Sequence, residues 1–531
     1  MDQTDFLSHW LKWKINFMLK FINLITNNYF LKQKLKVDEQ NSPVRRLTDN
    51  WQGNSEIGKT IVNGKTNPKL IKDFNKFYFL RDLKAEGSIK ARSIARSLVS
   101  NWINEKHNLL SKEFDSQIMA ERVTCWSFNF SWFAESGELD LQKKILYSIA
   151  LQTKYLEIKL TETNNHLQQI IIIKGILVAK SILFDDIIII DELLNIIDQK
   201  LEILTNNDGG HTSRSPVLHI NLLRHLIEIR SIVGILKNVD AENLHKKTIK
   251  MGEFCRGFQM PNDCFAWFHG GSLVPKDIIK QTLNRIGYKN RIFQLAEDTG
   301  FCRLSNMDTV VFVDVGLKPI VSTNTKASLF AFEFFYKKEK IISNLGELTK
   351  SSIKSAKNSL ASSAAHSTLN IDDRNNIDLT GKRKTEILEV KYGKTKDGNL
   401  LDLTHSGYKT IFGINHKRQI YLSNKKNEIR GKDVIINLGN IGTIPKMANI
   451  HFHLNPSIEL IKTRSGSILL NHLKGFVWKM TSDNQDIVIR DSVMFTPKGP
   501  TPCKEIMIIM KLEKIRAYKM ISCNWAFQLQ K

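Results

Sequence analysis

Imidazole, guanidinium and amide side chains gather in a few short polar stretches of this chain, and these are the groups that can hold an anion and move a proton. The densest stretch is Asp208-Gly209-Gly210-His211-Thr212-Ser213-Arg214-Ser215-Pro216. Its two glycines supply positive φ, an imidazole and a guanidinium follow, and Ser215-Pro216 suits the start of a helix with Leu222, Leu223, Leu226 and Ile229 on its apolar face. Such a loop at the end of a helical hairpin could hold an anionic sugar, or Arg214 could simply pair with a nearby carboxylate. Upstream, Thr163-Asn164-Asn165-His166 precedes another helical run. An Asn there is a natural N-cap, and amide and imidazole groups would converge on one helix N-terminus; a capped helix with a surface His is the plainer reading. Trp267-Phe268-His269-Gly270-Gly271 closes a further turn, with aromatics suited to sugar faces or to packing. Toward the C-terminus lie His405-Ser406-Gly407-Tyr408, His416-Lys417-Arg418 and His451-Phe452-His453. His451 and His453 are two residues apart and share one face of a strand, which suits a divalent metal, a carbohydrate contact or a satisfied pair of core histidines.

The elements that must position these groups change type along the chain. From about Lys69 to Arg303 apolar residues recur at helical spacing, as in Phe77, Leu80 and Leu83 or Ala95, Val99 and Trp102. After Met307 the apolar runs are short, β-branched or aromatic and bounded by turn residues, as in 309–313, 329–335, 434–438 and 506–510. These patterns predict an amphipathic segment over 1–50, an all-α domain over 51–305 and an antiparallel β domain over 306–531. Residues 349–367, rich in Ser, Lys and Ala, read as a flexible insert.

The Asp-Gly-Gly-His loop, Asn164-Asn165-His166, Phe79-Leu80-Arg81-Asp82-Leu83, and the β-half pieces Ala365-His366-Ser367-Thr368-Leu369 and Arg430-Gly431-Lys432-Asp433 together resemble the heparinase II/III family of polysaccharide lyases. The loop is most similar to that of a bacterial subgroup. The resemblance runs from about Trp51 to the C-terminus. It implies an α+β multidomain fold, an incomplete α/α toroid of helical hairpins followed by an antiparallel β-sandwich, with a substrate cleft between them. Such lyases act on uronic-acid polymers by β-elimination: a base removes the C5 proton, the carboxylate is neutralised, and the oxygen leaving C4 is protonated. No cofactor is required.

By this matching Asn165 is the carboxylate clamp and His166 a base or its support. Asn164, Arg214, Trp267, His269, His405, Tyr408, His416 and Arg418 become substrate contacts. Two departures matter. Characterised members carry a Tyr just after the Ser-Pro step, where this chain has Val217, Leu218 and His219, so proton transfer would fall to His219 or His211 or be lost. A His-Ala-Gly pattern is replaced by Lys326-Ala327-Ser328 ahead of Phe332-Glu333. A Lys can act as a base when burial or a neighbouring cation lowers its pKa; loss of chemistry is the other outcome. The alternative to a lyase is a catalytically impaired glycan-binding protein of the cell envelope.

At 531 residues, with 42% hydrophobic and 24% charged residues, the chain is an ordinary globular one of two or three domains. Its net charge of +24 suits an acidic polysaccharide, although the abundance of Lys, Asn and Ile is also what an AT-rich genome produces. No nucleic-acid motif, P-loop, dinucleotide fingerprint or nucleophile elbow accompanies the charge. Six cysteines without a Cys-x-x-Cys pair point to scattered thiols, with one or two bridges as the alternative. Residues 6–25 are apolar but broken by Lys12, Lys14 and Lys20. Neither a transmembrane helix nor a standard signal peptide is indicated there, and an amphipathic helix packed on the protein or lying on a membrane surface fits better. The family places such a chain in the envelope or periplasm; with no signal pattern, the cytoplasm is the alternative.

Overall fold

Short polar caps set where the helices begin. In the computed structural model, Asn54, Ser88, Asp115 and Asn165 each accept backbone N–H bonds at a helix start, at 2.9, 3.1, 2.9 and 3.0 Å, each cap stabilising its helix by about 1 kcal/mol. They open α1 (Ser55–Val62), α3 (Ile89–Asn104), α4 (Ser116–Phe133) and α6 (His166–Leu183), between which lie α2 (Phe79–Glu86) and α5 (Leu139–Glu162). The structure describes residues 42–71, 73–105, 115–185, 189–236, 239–287, 292–317, 326–348, 354–439 and 442–530. The apolar N-terminal segment therefore lies outside the described residues. Contacts divide the chain into two units: the described residues up to Leu201 with His225–His245, and Glu202–Arg224 with Lys246 onward.

In the first unit, Gly175 of α6 lies against α4, where an added Cβ would sit 2.9 Å from Ala120 Cα. Two small residues thus let the helix backbones approach closely. Trp126 packs edge-on to Phe77 and Trp102 at 5.1 and 5.4 Å. Arg81 and Asp82, prominent in the sequence, do structural work: Arg81 Nε donates to buried Asp49 at 2.8 Å, and Asp82 accepts the Asn54 N–H at 2.7 Å. Buried Lys174 is held by Glu121 and Glu228 at 2.7 and 2.9 Å. α6 has the length and composition of a membrane span but is mostly buried in helix packing, so no clear transmembrane span exists among the described residues.

The second unit includes the helix Lys276–Ile286 and two antiparallel sheets. The strands are β1 (Leu295–Ala296), β2 (Phe301–Ser305), β3 (Thr309–Asp314), β4 (Phe332–Tyr336), β5 (Glu339–Ser343), β6 (Leu369–Ile371), β7 (Ile387–Lys394), β8 (Gly398–His405) and β9 (Ile414–Ser423). They continue as β10 (Glu428–Asn437), β11 (Met447–Leu454), β12 (Ile458–Lys462), β13 (Ile468–His472), β14 (Val477–Ser482), β15 (Ile487–Thr496), β16 (Gly499–Lys511) and β17 (Met520–Leu529). One sheet runs β1-β2-β3-β4-β5-β11-β16-β15, with β6 also on β11; the other runs β12-β13-β14-β17-β10-β9-β8-β7. Their facing sides interlock through Phe332 stacked on Trp525 at 5.4 Å and Phe334 against Trp478 at 5.1 Å. β3 and β4 are buried on both faces: Phe258 covers β2 and β3 from outside, 5.0 and 4.9 Å from Phe301 and Phe312, and the Trp267 N–H bonds Glu333 of β4. That explains their unbroken apolar sequences.

Three sequence expectations are adjusted. Strands begin at Leu295, ahead of Met307, because β1 and β2 pair onto β3. The described part of the supposed flexible insert is ordered: Lys354–Ala361 is helical, and His366 and Ser367 are buried. All six cysteines are free thiols, five of them buried.

Candidate functional site

The Asp208–Pro216 loop is fastened to the start of the β domain by its own polar groups. Asp208 accepts the N–H and hydroxyl of Thr299 at 2.7 and 2.5 Å. Gly210 lies so close to Thr299 that a Cβ would come within 2.0 Å of its hydroxyl oxygen. Arg214, at a positive φ of 58°, spends all five N–H donors inside the protein. They reach the carbonyls of Thr299, Gly300, Gly316 and Leu317 at 2.7–3.2 Å, and Asp314. The substrate contact expected of Arg214 is therefore corrected to a strut: its guanidinium has no donor left for a ligand.

His211 accepts the Ser213 N–H at 3.0 Å through Nδ1, which leaves the proton on Nε2, buried and without a partner. Burial pushes its pKa down to about 4, so it is neutral at pH 7. His219 is sealed more deeply. Its Nε2 donates to the Met251 carbonyl at 3.0 Å, its ring packs 5.0 Å from Phe254, and burial pushes its pKa down to about 3. With Nε2 committed to the Met251 carbonyl and the ring set against Phe254, His219 fits poorly the proton-transfer role offered to it.

Asp314, at the end of β3, is the centre of a second cluster. It accepts from Arg214, from the Ser328 hydroxyl at 2.6 Å and from His269 Nε2 at 3.1 Å. Burial would raise its pKa, but Arg214 and His269 hold it well below the usual carboxylate range. His269 is thus tied to Asp314, and burial lowers its pKa against that carboxylate. Lys326 is salt-bridged to Glu347 at 2.9 Å. In that pair it can hold an anion or donate a proton; accepting one requires breaking the bridge. Glu333 accepts the Trp267 N–H at 3.0 Å and Lys340 Nζ at 3.2 Å, while Lys340 lies 4.0 Å from the centre of the half-buried Trp267 ring.

His366 completes the cluster. Both of its ring nitrogens are buried without a hydrogen-bond partner, and its pKa falls well below the ordinary value, first through burial and then through the charges of Lys326, His269 and His453. Unmet buried donors and acceptors cost about 1–3 kcal/mol each, so such a ring calls for an explanation.

Four expected substrate contacts lie elsewhere. His405, Tyr408, His416 and Arg418 are all 0% exposed. The Gly407 N–H bonds His405 Nδ1 at 2.9 Å, which fixes the proton on Nε2 for His416 Nδ1 at 3.0 Å; His416 Nε2 then donates to Asp433 at 2.8 Å. Arg418 completes the network through Asp433 at 2.7 Å and the Phe330 and Ser367 carbonyls. Tyr408 donates to the Leu369 carbonyl at 3.0 Å, and burial raises its pKa. These residues are corrected to a sealed polar core. His451 and His453 do share a face, joined by Glu505 from β16.

In the helical unit, Asn164 and Asn165 are exposed and His166 is half-buried. Asn165 Oδ1 caps α6, so its Nδ2 donors are the part that could meet an anion, which is the polarity a carboxylate needs.

Comparison with known proteins follows this division. Residues 289–523 match the family model described as "Heparinase II/III-like, C-terminal". The full chain also matches heparan sulfate lyase HepC from Pedobacter heparinus (mutant crystal structure) with a TM-score of 0.67, at 14% identity, over 95% of this chain and 88% of that one. The matched segment is similar to the heparinase II/III family's C-terminal domain, and the solved structures share the fold of the whole chain. A heparinase III crystal structure matches with a TM-score of 0.68, again at 14% identity, over 97% and 91% of the two chains. The helical region followed by two antiparallel sheets is thus the toroid-plus-sandwich fold of these neighbours. FtsZ-localized protein C of Caulobacter vibrioides is 26% identical over 330 residues, 58% of this chain and 56% of that protein. The chain thus spans little more than half the length of that relative.

Sequence reasoning missed Asp314, Glu347 and Glu505, and quoted His366 without giving it a role. A signal existed for two of them. Asp314 ends an otherwise apolar strand, and His366 interrupts a run of small residues.

Proposed function

We propose that this protein belongs to the heparinase II/III family and acts on a uronic-acid-containing polysaccharide by β-elimination, with His366 as the proton acceptor. The observation that carries the proposal is the His366 ring itself, neutral, buried and unpartnered beside Lys326, His269 and His453. A lone pair on a neutral imidazole is what removal of the C5 proton requires, and a base of this kind contributes about 10²–10⁴-fold. Lys326 supplies positive charge for the carboxylate whose charge grows as the proton leaves. The heparinase-like lyase fold supports this reaction class. The acidic polymer and an envelope location belong to the same proposal.

A second reading, glycan binding without cleavage, is favoured by His219, which occupies the region of the expected Tyr and is sealed in helix packing. The likeness to a protein named FtsZ-localized fits that reading, with this chain held near the division machinery. Incubation with a panel of acidic polysaccharides, followed by the ultraviolet absorbance of the unsaturated product, tests the first reading. Product from at least one uronic-acid polymer supports it, and salt-sensitive binding with no product from any polymer gives first place to the second.

A further inference from the structure

A candidate of a different kind lies on β11 and β16. His453 stands directly opposite Glu505 in the ladder, and His451 is two residues along on the same face. Donor atoms of the three side chains lie within 4.8 Å of one another.

The hydrogen bonds around the two rings decide where their protons are. His453 Nε2 faces the Ala364 carbonyl at 2.9 Å, and His451 Nε2 faces Asn370 Oδ1 at 3.2 Å. Both partners accept, so both Nε2 atoms carry hydrogen, and in the neutral rings both Nδ1 lone pairs face Glu505. His451 Nδ1 contacts Glu505 Oε1, and His453 Nδ1 lies 4.0 Å from it. In that arrangement two lone pairs and a carboxylate face one another, a repulsion that a cation among them relieves. A proton on His451 would satisfy one ring only. His453 Nδ1 would remain unpartnered in a residue that is 1% exposed.

We infer that His451, His453 and Glu505 bind a divalent transition metal of the zinc class through two Nδ1 atoms and a carboxylate oxygen, with a fourth position for water. Metal-bound imidazoles typically donate their other N–H to a carbonyl or carboxylate, and Ala364 and Asn370 accept in that way. Tetrahedral zinc with bonds of about 2.0–2.1 Å places its ligands about 3.3 Å apart. The present spacings reach that by side-chain shifts below about 1 Å. Arg490 also reaches Glu505, across β15, and is the opposing charge that the metal must tolerate. The other such grouping among the described residues, Glu121, His225 and Glu228, already has the Lys174 ammonium at its centre.

The inference is independent of polysaccharide cleavage and is tested by metal content. The full chain is stripped with a chelator, dialysed against zinc chloride and assayed by elemental analysis; cobalt(II) then reports geometry through its visible absorption. One zinc per chain and a tetrahedral cobalt spectrum are expected, with at least tenfold weaker binding in His453→Ala and in Glu505→Gln. If either variant loses its circular dichroism, His451→Gln takes its place, since it keeps a polar side chain of similar reach. No zinc above the dialysis blank, or unchanged zinc affinity in the folded variants, overturns the assignment.

Discussion

At the scale of single residues, buried neutral histidines make stability depend on pH. His211 has a pKa near 4 when folded, against about 6.5 when unfolded. Between those values the unfolded chain binds a proton that the folded one does not, so stability is complete above pH 6.5 and falls as pH drops toward 4. That one ring accounts for about 3 kcal/mol of the loss. Urea unfolding of His211→Gln at pH 7 and pH 5 should show a shallower decline than wild type, and parallel declines would contradict the argument. Asn165 can be separated into its two roles by Asn165→Ser. The hydroxyl keeps the helix cap, so thermal stability should hold, while loss of the amide lowers turnover on a uronic-acid polymer by about a hundredfold if it clamps the carboxylate. Equal turnover would remove that role. Which polar residues matter was only partly legible in the sequence. His211 and Arg214 stood out together, yet spacing could not reveal that Arg214 would exhaust its donors on backbone carbonyls. Nor could it show that His405 and His416 would form a closed line to Asp433, which requires the pairing of β8, β9 and β10.

Among the elements, the contact of α4 with α6 gives a sharp test. A side chain at Gly175 would begin 2.9 Å from Ala120, with backbone rather than a flexible tip in the way. Gly175→Val should therefore lower stability by about 1–3 kcal/mol through overpacking, read as a lower urea midpoint, whereas Gly137→Ala, in a turn, serves as a milder comparison. An unchanged midpoint in Gly175→Val would mean the helices can move apart freely. The change from helical to alternating or β-branched patterns was legible because period follows geometry. Its position was not. β1 is only Leu295–Ala296 and gains its meaning from pairing with β2. The 349–367 stretch was misread for a related reason: its small polar residues suggest a linker, while the backbone and amide carbonyl oxygens that accept from Ser363 and Ser367 come from distant sequence.

Over the whole molecule, a net charge of +24 favours association with any polyanion. Binding to an acidic polysaccharide should weaken strongly between low and physiological salt, since exposed charges are screened over about 8 Å at 0.15 M. Salt-independent binding would show that burial and hydrogen bonding dominate. Charge alone gives affinity without chemistry, and the proposed chemistry rests on His366. The most direct measurement is the initial rate of unsaturated product formation by wild type and by His366→Ala on the same uronic-acid polymer, with polymer binding followed in parallel. Product from wild type, a loss of about a hundredfold or more in the variant, and retained binding are expected. Cleavage by His366→Ala at the wild-type rate, or no cleavage of any uronic-acid polymer by wild type, would contradict that chemistry.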